Sequence, residues 1–375
     1  MTGRAVAFAP GRVNLIGEHT DYNDGLALAF AVTLGVQVTA TALDEPRVEA
    51  QALDLEQVEG FALDELEPDG LAQSKPGGNA ATDWGRFVRG AVSELRAAAV
   101  PVRGARLEIT GDVPRGSGLS SSAALSISLC LALIAVAGAE PPQRLELARL
   151  CQRIEHRWVG VQSGLLDQLA SLCGGAGQAL LIDFRTLEVT PLPMVLGDHR
   201  MVTLDSGERH ENSASGYNQR RRECAQACAA LGVDSLRDAT LDDLAALPEP
   251  LRRRVRHVVT ENARVLAAVK ALRDGDLSTI GELLNASHAS LRDDYEVSTD
   301  AVERTVLRLR AAGAIGARIV GGGFGGHVLA LLPRGARPPA GAIEVAPGPG
   351  AHLVGSSAAT NQDAGRSRRA GYSAR

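Results

Sequence analysis

Lysine is almost absent from this chain of 375 residues. Lys75 and Lys270 are the only two lysines, and nearly all of the positive charge is carried by arginine. A phosphate loop of the Gly-x-x-x-x-Gly-Lys type needs a lysine at a fixed position, and so does the nucleotide-binding strand of protein kinases. Neither lysine has such a setting, which excludes both classes of nucleotide-binding protein.

Aromatic residues and cysteines are also scarce. Aromatic residues make up 3% of a chain that is 45% hydrophobic, so its core must be built from alanine, valine and leucine. The five cysteines include no Cys-x-x-Cys pair, and they are Cys130, Cys151, Cys173, Cys224 and Cys228. An odd number in apolar or helical surroundings favours a reduced, cytoplasmic protein with structural cysteines. Cys224 and Cys228 are one helical turn apart without nearby histidines, which argues against zinc.

Excess charge and long apolar runs are absent as well. The net charge is −5 and the isoelectric point is near 6.0, which argues against general binding to nucleic acids or anionic membranes. The chain shows neither a charged and apolar leader nor an apolar run of about twenty residues. We therefore expect a cytoplasmic protein with neither nucleic-acid nor membrane partners. We also expect a monomer.

Hydrophobic periodicity predicts two groups of strands and helices. The first group has strands within 4–9, 26–53 and 106–113, and helices over 83–99, 123–136 and about 141–158. The second has strands between 180 and 204, helices over 211–231, 248–272, 276–292 and 299–312, and a strand, glycine-rich turn and strand over 315–332. This order predicts a two-lobed α+β protein with a cleft between the lobes. We expect lobes at 1–190 and 191–355, and a disordered tail at 356–375.

The segment from Pro10 to Gly25 carries the densest polar chemistry of the chain. Its side chains with strong polar heads are Arg12, Glu18, His19 and Asp21. Glycines between them allow the backbone to turn. Charged groups buried without partners cost several kcal/mol. A loop that holds two carboxylates and an imidazole around one point therefore predicts a receptor for a polyhydroxylated ligand.

Two further motifs suit phosphate chemistry. Gly116–Ser122 lies between a predicted strand and a predicted helix, where small residues and a helix N-terminus favour phosphate binding. Its hydroxyls add donors, and one of them could coordinate Mg²⁺. The alternative is an ordinary turn with an N-cap serine. Asp167 begins an apolar helix after a glycine-containing loop, either as a catalytic acid or as a first-turn residue that complements the helix dipole.

These motifs resemble those of the galactokinase family in the GHMP small-molecule kinase superfamily. The run from Pro10 to Gly25 resembles the signature loop of the family almost residue for residue. Pro114–Ala123 is similar to its nucleotide-phosphate loop, Gly164–Gln168 to its Gly-x-x-Asp-Gln segment, and Gly321–Gly326 to its third motif. The motifs occur in the family order between about residues 5 and 355. The resemblance implies a two-lobed GHMP kinase fold with the active site in the cleft between the lobes.

The resemblance also implies an activity, its cofactors and its site residues. The activity is the phosphorylation of the anomeric hydroxyl of galactose with ATP and Mg²⁺. Asp167 would be the catalytic base, with Arg12 beside it, and Ser122 and Glu155 would hold Mg²⁺. The implied sugar contacts are Glu18, His19, Thr20, Asp21, Gly164 and Tyr217. The implied nucleotide contacts are Gly116, Ser117, Gly118, Leu119, Ser120, Ser121 and Ser122, with Trp84 and Phe87 lining an adenine pocket or, alternatively, belonging to the core.

Two alternatives remain open at this stage. One is a related sugar-1-kinase that acts on N-acetylgalactosamine or arabinose, because the loop residues do not settle tolerance at C2 of the sugar. The other is a galactose sensor that keeps the fold without turnover. The intact Ser122-Ala123 pair and Asp167 argue against the sensor, since sensors in the family typically have a damaged phosphate loop.

Overall fold

The computed structural model describes residues 3–66, 84–114, 118–209 and 213–355. Several predictions fall outside these residues. They concern Gly116 and Ser117 of the phosphate loop, the first residue of the helix predicted over 83–99 and the tail at 356–375.

Eight strands form the larger of two sheets. Their order is β12–β1–β2–β5–β3–β4, and β6 pairs with β2 and with β7. The bounds are β1 (Arg4–Ile16), β2 (Leu26–Ala42), β3 (Arg47–Ala52), β4 (Gln57–Ala62), β5 (Ala105–Gly111), β6 (Gln178–Asp183), β7 (Glu188–Pro193) and β12 (His352–Leu353). The pairing is antiparallel except between β3 and β5.

Alternate residues of the central strands face two different cores. On β2, Ala27 and Ala29 pack in one apolar cluster with four helices, which are α1 (Gly85–Ala97), α2 (Ser121–Val136), α3 (Arg144–Ile154) and α4 (Leu166–Cys173). Leu28 and Phe30 face the opposite side, as the period of two in a strand requires. The small residues on the first face let α2 approach the sheet closely.

The second sheet is antiparallel and has the order β11–β8–β10–β9. Its strands are β8 (His199–Arg209), β9 (Gly316–Ile319), β10 (Gly325–Pro333) and β11 (Ile343–Val345). The helices of this part are α5 (Ser213–Leu231), α6 (Leu251–Asp274), α7 (Leu277–Asp293) and α8 (Asp300–Ala311). Apolar side chains of α6, α7 and β10 pack against Leu28 and Phe30 of the larger sheet, so one shared core joins the two groups of elements.

Two local predictions need correction. Strand β1 continues to Ile16, so Arg12 lies on a strand and not in a loop. Helix α3 begins at Arg144 rather than at the prolines at 141 and 142, and Glu155–Val159 continues it as one wider π-type turn.

The predictions of fold class, lobe boundary, location and oligomeric state have different outcomes. The α+β fold is confirmed. The lobe boundary at 190 stays a prediction, although β7 runs across it and β12 returns to the larger sheet. None of the helices in the described ranges has the length and apolar character that a bilayer crossing requires. The cytoplasmic location and the monomeric state stay predictions.

Candidate active site

A cavity of about 340 Å³ lies where the two groups of elements meet. Its walls come from the end of β1, the residues before and at the start of α4, the N-terminal part of α5, and the glycine-rich turn between β9 and β10. Most of the predicted catalytic and sugar-binding residues line it, namely Arg12, Glu18, His19, Asp21, Gly164, Asp167 and Tyr217. Four segments that are far apart in the sequence are thus brought together.

Arg12 and Asp167 form an ion pair in this cavity. Arg12 Nε donates to Asp167 Oδ1 at 2.7 Å, and the two side chains are only 6% and 20% exposed. Burial lowers the pKa of Arg12, but the carboxylates of Asp167 and Glu18 outweigh it and raise that pKa above its ordinary value. Arg12 also donates to the carbonyl of Gly118. One guanidinium therefore connects the carboxylate of Asp167 to the predicted phosphate loop.

Glu18 is held by groups from the other half of the chain. Its Oε1 accepts from the backbone N–H of Gly321 at 2.9 Å and lies 2.9 Å from Nη2 of Arg318. Arg318 is fully buried and also donates to the carbonyls of Asn14 and Leu15. A buried carboxylate with a guanidinium and an N–H as partners is compensated electrostatically. These bonds fix the end of β1 against the glycine-rich turn.

Asp21 lies beside Gly164 and faces two other carboxylates. A Cβ at Gly164 would come within 2.0 Å of Asp21 Oδ2, so glycine allows the carboxyl group to occupy that space. Burial, together with the negative charges of Asp167 and Glu18, raises the pKa of Asp21 to about 7. A carboxyl group that changes its charge near neutral pH in a cavity is a candidate functional group.

His19 and Tyr217 form the aromatic wall of the cavity. Their ring centroids are 5.3 Å apart. Burial, with the nearby charges of His257 and Arg220, holds the pKa of His19 well below its ordinary value, and the backbone of Gly322 only partly opposes this. The imidazole is therefore neutral. Burial and the charge of Asp21 keep the pKa of Tyr217 well above its usual range.

Thr20 differs from the other predicted sugar contacts. Its hydroxyl lies 2.8 Å from the carbonyls of Gly17 and of Leu26, and the residue is fully buried. Thr20 is not one of the described residues that line the cavity. Its side chain closes the turn between β1 and β2, a role that the motif alone did not reveal.

The described part of the predicted phosphate loop leads directly into α2. Gly118 and Ser120 both adopt left-handed conformations, with φ of +70° and +61°. Leu119 accepts the backbone N–H of Arg12 at 2.9 Å and buries its side chain. The hydroxyl of Ser120 is buried without a hydrogen bond in the described structure. The backbone N–H groups in the first turn of α2 have no acceptors within the helix, so they can donate to an anion at this end.

A second cavity of about 490 Å³ lies on the other side of this loop. Its lining includes Trp84, Phe87, Ser121, Ser122 and Asp54. Trp84 and Phe87 also belong to the apolar core, each 9% exposed. The indole of Trp84 donates to Gln57 Oε1 at 2.7 Å, which fixes the orientation of its ring. Both alternatives for Trp84 and Phe87, pocket and core, are thus compatible with their position.

The side chains of Glu155 and Ser122 lie close together beside the second cavity. Ser163 donates to Glu155 Oε2, while Glu155 Oε1 is buried without a hydrogen bond among the described residues. Burial and the charge of Asp167 raise the pKa of Glu155, and the hydroxyls of Ser163 and Ser122 oppose that shift. No group of three or more metal-binding side chains occurs in the parts of the chain described. One carboxylate and one hydroxyl nevertheless fit Mg²⁺, which keeps most of its waters and substrate oxygens.

Comparisons with known proteins identify the family. The "GHMP kinases N terminal domain" matches residues 86–175, the "Galactokinase galactose-binding signature" 2–42 and the "GHMP kinases C terminal" domain 268–342. A galactokinase of Mycobacterium tuberculosis is 44% identical over 335 residues, which are 87% of this chain and 88% of the relative. A galactokinase of Chloroflexus aurantiacus is 43% identical and covers 87% and 83%. The chain belongs to the galactokinase family of GHMP kinases.

Solved structures agree with this assignment. The galactokinase of Lactococcus lactis, solved in complex with galactose, matches with a TM-score of 0.83 and 32% identity over 93% of this chain and 95% of that one. A mevalonate kinase matches with a TM-score of 0.57 at 18% identity, over 87% and 91%, and shares the fold alone. The prediction of a GHMP kinase fold is therefore confirmed.

Several residues of this galactokinase-family site were not predicted from the sequence. Arg318, which holds Glu18, lies on β9 in a pattern typical of a strand residue. Tyr295 packs against His19 with centroids 4.7 Å apart, and His257 lies 3.1 Å from the carbonyl of Glu18 through Nε2. Only the scarcity of tyrosine could have drawn attention to Tyr295.

Proposed function

We propose that this chain transfers the γ-phosphoryl group of ATP to the anomeric hydroxyl of galactose. The observation that carries the proposal is the Arg12–Asp167 ion pair. It lies in the first cavity and is joined through Gly118 to the start of a helix suited to phosphate. A base for the acceptor hydroxyl and an anion site for the donor are thus adjacent.

Asp167 would act as the general base. A sugar hydroxyl is a weak nucleophile, and a positioned base contributes roughly 10²- to 10⁴-fold to such a reaction. Arg12, whose Nε donates to Asp167 Oδ1, would hold the carboxylate of Asp167 in place. The same guanidinium would stabilise negative charge on the phosphoryl group during transfer.

The sugar would bind among Glu18, His19, Asp21 and Tyr217. Carboxylates accept hydrogen bonds from sugar hydroxyls, the imidazole adds a neutral partner, and the tyrosine ring covers an apolar face. The backbone at Gly164 would approach the sugar closely because no Cβ intervenes. A site of this kind discriminates against an analogue that lacks a hydroxyl, since a buried polar group is then left unpaired.

ATP would lie across the phosphate loop. Its base would enter the second cavity beside Trp84 and Phe87, and its phosphates would meet the N–H groups at the start of α2. Ser122 and Glu155 would hold Mg²⁺, whose fit is supported by the unpartnered Glu155 Oε1. The ion, when bound, supplies positive charge that offsets the charge of the phosphate oxygens.

Release of ADP measured with a panel of free sugars tests the proposal. Purified protein with ATP and Mg²⁺ should form ADP and a sugar phosphate with galactose. The variant Asp167→Asn should lose at least about 10²-fold in kcat and keep its affinity for galactose. Faster turnover with N-acetylgalactosamine or arabinose would identify a related sugar kinase. Binding of galactose and ATP without ADP release would identify a sensor.

A further inference from the structure

Three of the four tyrosines of this chain surround one side chain of the candidate site. The ring centroids of Tyr22, Tyr217 and Tyr295 lie 5.8, 5.3 and 4.7 Å from the ring of His19. Aromatic residues make up only 3% of the chain. Such a concentration around one imidazole indicates a role that depends on these rings or their hydroxyls.

The hydroxyls of two of these tyrosines form a chain of hydrogen bonds that begins at His19. His19 Nδ1 lies 2.7 Å from the hydroxyl of Tyr22, which lies 3.1 Å from the hydroxyl of Tyr295. The Tyr295 hydroxyl lies 3.1 Å from Cys224 Sγ, and Asn23 Nδ2 donates to the same sulfur at 3.6 Å. This series of hydrogen bonds therefore runs from the cavity wall into the apolar core of the second sheet.

The donor and acceptor of each hydrogen bond in this series can be assigned from its buried end, at Cys224. The amide nitrogen of Asn23 can only donate, so Cys224 Sγ is an acceptor. A phenol donates more strongly than a thiol, and we therefore assign the hydrogen of Tyr295 to this sulfur. The oxygen of Tyr295 then accepts from Tyr22, and the oxygen of Tyr22 accepts from the Nδ1–H group of His19. A neutral imidazole with its proton on Nδ1 presents Nε2 as an acceptor.

The remaining polar atom of His19 makes no hydrogen bond of normal geometry. The backbone of Gly322 lies near the ring and raises its pKa, but Nε2 is buried and has no well-aligned partner among the described residues. His19 also lines the cavity. The backbone at His19 has φ of +61°, which is uncommon for a residue with a side chain and persists only where its surroundings impose it. Asn23 Nδ2 donates to the carbonyl of His19 at 2.8 Å and helps to impose it.

We propose that Tyr22, Tyr295 and Cys224 are positioning residues that fix His19 as a hydrogen-bond acceptor for one hydroxyl of the sugar. This inference rests on the proposed function and adds a determinant of sugar specificity to it. An analogue without that hydroxyl leaves Nε2 buried and unpaired, and it binds more weakly for that reason.

The tautomer of His19 can be measured directly by nitrogen NMR of the protein labelled in its histidines, without ligands. His19→Gln assigns the signal. Wild-type protein should show the Nδ1–H tautomer. Tyr295→Phe removes the acceptor of the Tyr22 hydrogen, so Tyr22 can donate to Nδ1 and His19 should change to the Nε2–H tautomer. Cys224→Ser keeps an acceptor and should leave the tautomer unchanged. An Nε2–H tautomer in wild-type protein overturns the inference without the need for any variant.

Kinetics with galactose analogues provide the second test. Tyr22→Phe should raise the KM of galactose about 3- to 10-fold, the worth of one neutral hydrogen bond, with little change in kcat. The same variant should lose discrimination against a single monodeoxygalactose, the one that lacks the hydroxyl bound by His19. If KM rises equally for every analogue, Tyr22 only supports packing and the inference fails.

Fluorinated sugars determine the direction of the hydrogen bond. A fluorine cannot donate, so wild-type protein should treat the deoxy and deoxyfluoro analogues at that position alike. Tyr295→Phe should favour the fluoro analogue, which can accept weakly from Nε2–H. Absence of sugar phosphate with wild-type protein would refute the proposed function, whereas the tautomer spectrum needs no turnover and decides this inference separately.

Discussion

Replacing Gly164 by alanine should weaken sugar binding without weakening the fold. The added Cβ would lie 2.0 Å from Asp21 Oδ2 and 2.5 Å from its Cγ, which is far closer than atoms can approach. The atoms in conflict belong to the end of a side chain rather than to backbone, and the φ of Gly164 is outside the left-handed region. Asp21 can therefore rotate away at little cost to stability, but it then leaves the place from which it would contact the sugar.

The size of the effect follows from the contact that is lost. A hydrogen bond to a charged group is worth about 1.5–3 kcal/mol, which corresponds to about a 10- to 150-fold rise in the KM or Kd of galactose. ATP affinity should stay within about twofold, because the change lies on the sugar side of Asp167. Calorimetric titration with galactose and steady-state kinetics measure both quantities.

Gly335→Ala is a matched control for this experiment. Gly335 is exposed in the turn after β10, and a Cβ there would meet no atom within 4 Å. It should leave kinetics and melting temperature unchanged. Our reasoning would be refuted if Gly164→Ala kept the wild-type affinity for galactose. A fall in kcat with unchanged affinity would instead indicate that Asp167 had moved.

Two other predictions concern protonation and metal. Since the pKa of Asp21 is about 7, kcat/KM for galactose should rise as pH increases through 7, and Asp21→Asn should be less active and lack this rise. Because the pKa of Asp21 is raised in the folded protein, ionising this residue destabilises the fold. This destabilisation is absent below the ordinary pKa of 3.8 and reaches its full size above about pH 7. Asp21→Asn should therefore raise the melting temperature more at pH 8 than at pH 5, and an equal rise at both pH values would contradict this. Ser122→Ala should raise the Mg²⁺ concentration needed for half-maximal activity and leave galactose binding unchanged. The control variant Ser121→Ala should leave the Mg²⁺ requirement unchanged. If the two variants need the same Mg²⁺ concentration, Ser122 is not a ligand of the ion.

The long helices were predictable from the sequence because their apolar residues follow a single stripe. The prediction of 248–272 corresponds closely to α6 (Leu251–Asp274). The end of β1 was not predictable in this way. Its residues include Pro10, Gly11 and the charged Arg12, which are typical of a loop, and its pairing with β2 shows register shifts on either side of Arg12. Those irregularities allow a polar segment to continue a strand.

The candidate site was predictable where its residues occur close together in one motif. Glu18, His19 and Asp21 follow one another in the sequence, and the structure places all three at one cavity. Tyr295 and Arg318 lie about 270 and about 300 residues away from that motif. Only the tertiary arrangement brings them there, so neither spacing nor periodicity could indicate them.

The division of aromatic side chains between the two cavities gives this protein two separate optical reporters. Three of its four tyrosines surround His19, while its two tryptophans, Trp84 and Trp158, lie in the core of the larger sheet, and Trp84 borders the second cavity. A ligand in the first cavity therefore changes the surroundings of tyrosine rings, and a ligand in the second changes those of an indole. Tyrosine absorbance and tryptophan emission can follow the order in which the two substrates bind, without any attached dye.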